Sequence, residues 1–217
     1  ACQVSVTWGI TDDPQVQRRA RQELLLAKER AVEPLLAALE DPALAGARPA
    51  LVEVLAGLLR RLGDQRIETA LVSRLATDEQ ATVRAACAHH LGANKRHRAL
   101  DPLLAALEDS DGEVRYQALL ALSLMENRLD PQQQDRLRQR SRLLAADKHA
   151  GVRLEAGIRV EAFVHDWIEA AAQAALAAQL SAAESLYVRA LEYAPNSKRA
   201  HYRLARFLVD NGDADQG

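Results

Sequence analysis

The segment Ala31-Val32-Glu33-Pro34-Leu35-Leu36-Ala37-Ala38-Leu39-Glu40-Asp41 returns almost unchanged as Ala99-Leu100-Asp101-Pro102-Leu103-Leu104-Ala105-Ala106-Leu107-Glu108-Asp109. A degenerate copy, Ile67-Glu68-Thr69-Ala70-Leu71-Val72-Ser73-Arg74-Leu75, lies between them. A unit recurring about every 34 residues is too small to bury its own apolar face, so the copies must stack as helical hairpins leaning on one another. Composition agrees: the 48% hydrophobic share is dominated by Ala and Leu, and aromatics are only 4%, which favours helix over strand.

Turn chemistry separates the units at Asp41-Pro42, Leu62-Gly63-Asp64, Leu91-Gly92 with Asn94, Asp109-Ser110-Asp111-Gly112 and Asp130-Pro131. Four hairpins are therefore expected between residues 31 and 163. Residues 1–30 form an N-terminal segment in which Asp12-Asp13-Pro14 opens a further helix running to about Lys28, placed to cap the stack. Each second helix opens on an Asp followed by an Arg: Asp78 with Val83-Arg84, Asp109 with Val114-Arg115, Asp147 with Val152-Arg153, and more loosely Asp41 with Ala47-Arg48. An Asp there can cap free N–H groups, while an Arg fork can bridge carboxylates of adjacent units.

These residues resemble the HEAT-repeat family, in which such Asp and Arg side chains stack into a ladder along the array. From residue 164 the pattern changes. Trp167, Ala171, Ala183, Tyr187, Ala190 and Pro195 resemble the tetratricopeptide (TPR) signature, and His201-Tyr202-Arg203-Leu204-Ala205 resembles the start of a second TPR unit. The expected fold is all-α, a right-handed αα superhelix with HEAT-like repeats over 31–163 and TPR-like repeats over 164–217, the last incomplete. A lone first helix leaves an apolar flank uncovered, so we expect either a chain continuing past Gly217 or a partner in the gap.

The charges are balanced, with 28 basic and 30 acidic residues giving a net charge of −2, which disfavours a polyanion partner. The densest basic run, Arg136, Arg138, Arg140 and Arg142, alternates along the sequence and so fans around a helix rather than forming one stripe. No stretch of about 18 uninterrupted apolar residues occurs, and the Ala-rich segment Glu169 to Leu180 is too short to span a bilayer. Ala1-Cys2 resembles the end of a bacterial lipoprotein signal, which offers a lipid anchor at Cys2 and leaves compartment open between cytoplasm and envelope. Abundant Ala and a preference for Arg over Lys point to a bacterial source.

Neither a catalytic residue nor a metal or cofactor site is expected. The six histidines include no His-Glu-x-x-His, and adjacent His89 and His90 diverge by about 100° on a helix. The His-Glu dipeptide of HEAT-like di-iron hydroxylases does not occur. Cys87 stands where neighbouring units carry Ala118 and Ala156, and so reads as a small core residue. Gly-x-Ser-x-Gly, phosphate-loop and Cys-x-x-Cys motifs are missing.

The resemblances instead imply a protein-binding scaffold or adaptor. In the HEAT register, Tyr116 and Leu120, then Leu154 and Ile158, fall at solvent-facing slots, an apolar row suited to a partner helix or peptide. Intramolecular burial of the same row is the other reading. In the TPR register, His165, Ile168, Ala172, Arg199, Tyr202 and Arg206 face the groove; Ile168 and Ala172 replace part of the Lys and Asn set that grips a C-terminal carboxylate. Two alternatives follow from the HEAT resemblance: an accessory, lyase-like subunit of an enzyme complex, and a nucleic-acid-binding protein with a basic face like that of HEAT-like DNA-repair glycosylases.

Overall fold

The computed structural model describes residues 14–211, and among them there is no strand. Cys2, Asp12 and Asp13 lie outside the described residues. The α-helices are α1 (Pro14–Ala27), α2 (Glu29–Glu40), α3 (Arg48–Leu62), α4 (Gln65–Thr77), α5 (Ala81–Ala93), α6 (Leu100–Ala106), α7 (Gly112–Met125), α8 (Pro131–Leu144), α9 (Ala150–Leu176), α10 (Leu180–Tyr193) and α11 (Lys198–Asn211). Contacts divide them into two compact units, parting between Gln134 and Asp135 within α8.

In the first unit, α2/α3, α4/α5 and α6/α7 are hairpins; the first helices contact one another in one layer and the second helices in another, while α1 packs on α2 and α3. The interface of α5 and α7 is built from small residues, with Cys87, Ala88, Ala118 and Ala121 all buried. Pro42–Leu62, apolar and long enough to cross a membrane by composition alone, is a 3₁₀ turn leading into α3, and Leu51, Val52, Val54, Leu55, Leu58 and Leu59 place it in the core.

The expected turns occur with one exception. Gly63 adopts φ 67°, a left-handed conformation suited to glycine, and its N–H closes α3 on Leu59 O at 2.8 Å. Gly92 is not a break, because α5 runs through it to Ala93. The turn follows, where Asn94 Nδ2 donates to His90 O at 2.8 Å and Lys95 takes φ 50°.

The Asp–Arg ladder is present in the first unit. Arg84 donates from Nε and Nη2 to the two carboxylate oxygens of Asp109, each at 2.8 Å, and from Nη1 to the Asp78 carbonyl at 2.8 Å. Arg48 and Arg74 share Asp78 Oδ2 at 3.4 and 3.3 Å. One fork thus closes its own turn and grips the next repeat. The ladder aspartates sit ahead of the helix, not at its first cap: Asp78 accepts from Gln80 N–H and Asp109 from Asp111 N–H, while Gln80 and Asp111 occupy the cap positions. The same turn recurs in the second unit, where Arg153 Nη1 donates to Asp147 O at 2.8 Å.

Burial pushes the Asp109 carboxyl pKa up, but hydrogen bonds from Arg84 and Asp111 and the charges of Arg84 and Arg115 outweigh it, leaving the pKa below 3.8. On acidification the unfolded chain therefore takes up this proton first. The resulting stabilisation is complete above the unfolded value and is lost as pH falls through the lower native value. Asp109→Asn should flatten the acid limb of stability below about pH 4, measured by urea midpoints across pH.

In the second unit, α9 packs on α10 and α11. Its core gathers Val164, Ile168, Ala171, Ala183, Tyr187, Ala190, Ala200 and Phe207. The sequence places a boundary at 163/164, but α9 is one helix of 27 residues through that point, with Phe163 and Val164 both buried. No proline or glycine lies between Ile158 and Leu176 to interrupt it.

Candidate functional site

The residues of the apolar row differ in exposure. In the first unit Tyr116 and Leu120 on α7 are half-buried. In the second, Leu154 and Ile158 on α9 are 69% and 56% exposed. They stand one turn apart on a helix whose other face buries Val152, Ala156 and Phe163. Leu154 and Ile158 therefore form a two-residue aliphatic ridge.

The groove residues are only partly as expected. Ile168 is buried in the core at 1% exposure, because Tyr187 and Phe207 of the following helices enclose the register position that would face outward. Ala172 is half-buried against a shallow cleft of about 360 Å³ that Arg206 also lines. Arg199 and His165 are exposed and adjacent, Arg199 Nη1 donating to His165 Nδ1 at 3.4 Å. Glu169 approaches the same nitrogen at 3.8 Å. Tyr202 is 63% exposed, and its hydroxyl is the strongest influence raising the Arg206 pKa, ahead of the Asp210 charge.

A cleft of about 320 Å³ in the second unit escaped the sequence reading. Three helices line it: Arg138 and Arg142 on α8, Trp167 on α9, and Arg189 and Tyr193 on α10, with the buried Phe163 one turn before Trp167 behind Arg138. The Arg138 guanidinium lies 5.3 Å from the Phe163 ring centre and 5.6 Å from that of Trp167; Arg189 lies 5.1 Å from Trp167. Tyr193 meets Trp167 edge-on at 5.2 Å, and its hydroxyl donates to Arg138 O at 2.7 Å. Burial pushes the Tyr193 phenol up to about 12, and the charges that oppose this shift, those of Arg138, Arg142 and Arg159, are all positive.

Cys87 is fully buried and its thiol is pushed up to about 12 by desolvation, which removes the thiolate at neutral pH. His89 and His90 place their rings edge to face at 5.0 Å, and burial followed by the His89 charge lowers the His90 pKa. No three His, Cys, Asp or Glu side chains converge among the described residues.

The sequence profile of HEAT repeats matches residues 67–161. That span begins within α4 and ends within α9, and it takes in the three Asp–Val–Arg spacings that start at Asp78, Asp109 and Asp147. The fold is thus an all-α helical repeat. Among solved structures, the chain is similar to a chain of the complex of CpcE and CpcF of phycocyanin lyase from Nostoc sp. PCC7120. The two share 27% identity, with a TM-score of 0.58, covering 73% of this chain and 96% of that one. YibA of Escherichia coli is similar in fold alone, at 18% identity and TM-score 0.53, covering 94% of this chain and 81% of that one. No curated protein sequence matches the chain.

Proposed function

We propose that the chain is a non-catalytic binding subunit that holds a protein partner, and that Leu154 and Ile158 on α9 are the centre of its contact. The observation that carries this reading is their exposure, 69% and 56%, on a helix that is otherwise well packed along its inner face. Two aliphatic side chains one turn apart are the minimal anchor for an apolar helix or strand of another protein.

The accessory-subunit form of this function is favoured by the likeness to a chain of the CpcE–CpcF complex, which extends over nearly the whole of that chain. On this reading the chain is one member of a heteromeric assembly and leaves the reaction to another member. We read α9, α10 and α11 as TPR-like, supported by the burial of Ala171, Ala183 and Ala190 with Tyr187 and by Pro195 just after α10.

Leu154→Glu with Ile158→Glu should reduce capture of the partner from the source organism's lysate about tenfold or more, with helicity by circular dichroism unchanged. Capture is read by mass spectrometry against the parent chain. Equal recovery of the same protein by both chains overturns the assignment of the ridge, and recovery that disappears on nuclease treatment favours nucleic acid instead.

A further inference from the structure

We propose that the cleft framed by α8, α9 and α10 is a separate docking site for an acidic peptide segment, with Arg142 and Arg189 taking its carboxylates beside the face of Trp167. Arg142 and Arg189 are both exposed at the cleft, and neither makes a hydrogen bond or ion pair among the described residues. The Arg189 guanidinium carbon lies over the Trp167 ring, 5.1 Å from its centre, and none of its N–H donors is used by a hydrogen bond among the described residues. Arg138 is held differently: its Nη1 meets Asp135 at 2.8 Å, its guanidinium carbon lies over the Phe163 and Trp167 rings, and its carbonyl accepts from the Tyr193 hydroxyl. Arg138 thus sets the wall, and the two exposed arginines supply the donors.

The charge at the cleft is not one-sided, since Asp135 and Glu192 also line it. Asp135 is engaged with Arg138, so the groups left to meet a ligand are Arg142 and Arg189 against Glu192, an excess of one positive charge. A volume of about 320 Å³ accommodates one or two side chains. This fits a short acidic stretch and is too small for a polynucleotide to be read along its length. The site is independent of the Leu154–Ile158 ridge and does not rest on the ridge's function.

The test uses the full chain with Trp8→Phe, which leaves Trp167 as the single tryptophan reporter of the two in the sequence. Acetylated tetraglutamate amide is titrated against its fluorescence, beside tetraglutamine amide and a single-stranded oligothymidylate. We expect a saturable change with tetraglutamate and none with tetraglutamine. Arg142→Ala with Arg189→Ala should weaken the tetraglutamate response about tenfold or more. Arg136→Ala with Arg140→Ala, which removes the same charge from other positions on α8, should leave it unchanged. Equal weakening by the two double variants, absence of a tetraglutamate response, or tighter binding of the oligothymidylate would each overturn the proposal. Arg142→Lys with Arg189→Lys keeps charge without the fork; retention of full affinity there would overturn the guanidinium role. A failure of ridge-dependent capture leaves this titration unaffected, so the two results are read separately.

Discussion

An Asp78→Ala chain is expected to lose about 3–4 kcal/mol of stability, the largest effect of any single side-chain deletion in the ladder. Asp78 is fully buried, and its Oδ2 is shared by Arg48, whose side chain is 8% exposed, and Arg74, at 13%. Arg48 Nε has no hydrogen-bond partner, so the nearby carboxylate charges, with Asp78 foremost, are what compensate that guanidinium for leaving water. Deleting the carboxylate leaves the buried Arg48 only the solvent-exposed Glu79, at 3.5 Å, and Arg74 only the exposed Glu40, and losing the buried partner costs far more than the pair contributes when intact. It also removes the acceptor for Gln80 N–H at the entry to α5.

Urea unfolding followed by circular dichroism measures this loss through midpoint and slope. Asp78→Asn keeps the acceptor and the shape while removing the charge, so its midpoint should fall between parent and alanine variant. A loss below about 1 kcal/mol in Asp78→Ala would mean that Arg48 and Arg74 find other partners and that the ladder is a minor part of the fold. The exposed Arg19–Glu23 pair, 84% and 55% exposed, is the internal contrast: breaking it should barely move the midpoint.

The ladder was legible in the sequence because its parts are local. An Asp followed at a fixed distance by Val-Arg, in three successive units, is a pattern that one repeat carries within itself. The boundary read at 163/164 rests on a change of repeat signature, which is compatible with an unbroken helix there, as α9 is, whereas the two compact units part at 134/135. Ile168 shows the same limit: its groove-facing register position is read from one helix, while its burial comes from a cluster to which Tyr187 and Phe207 of the next two helices belong.

The arginine–aromatic cleft was hidden for a related reason. Read as a run, Arg136 to Arg142 fans around a helix, yet Arg138 and Arg142 are four residues apart and share one face. Phe163 with Trp167 and Arg189 with Tyr193 are spaced alike. Each pair was visible locally; their convergence depends on how three helices pack, and no short-range pattern encodes that.

Gly92 gives the sharpest divergence between local and tertiary reasoning, and Gly92→Ala is expected to destabilise the chain by about 2–3 kcal/mol. Beside Asn94, a glycine reads as a turn. In the structure it lies inside α5, where a Cβ would sit 2.3 Å from Ala121 Cβ and 2.5 Å from Ala121 Cα on α7. Helix propensity alone favours alanine by about 1 kcal/mol, so a stabilised variant would show that the crossing relaxes easily. The contact resists relaxation because part of it is backbone: α5 and α7 must separate, and the buried Cys87, Ala88, Ala118 and Leu122 lose packing with them. Ala121→Gly in the Gly92→Ala background removes the Cβ clash and leaves the Cα clash, so it should recover only part of the loss, a coupling that a double-mutant cycle reads directly. Full additivity of the two changes would place the cost elsewhere than at this crossing. The requirement thus comes from a helix in the next repeat: the separation of α5 from α7 sets how one hairpin follows another, and glycine at 92 is the residue that permits it.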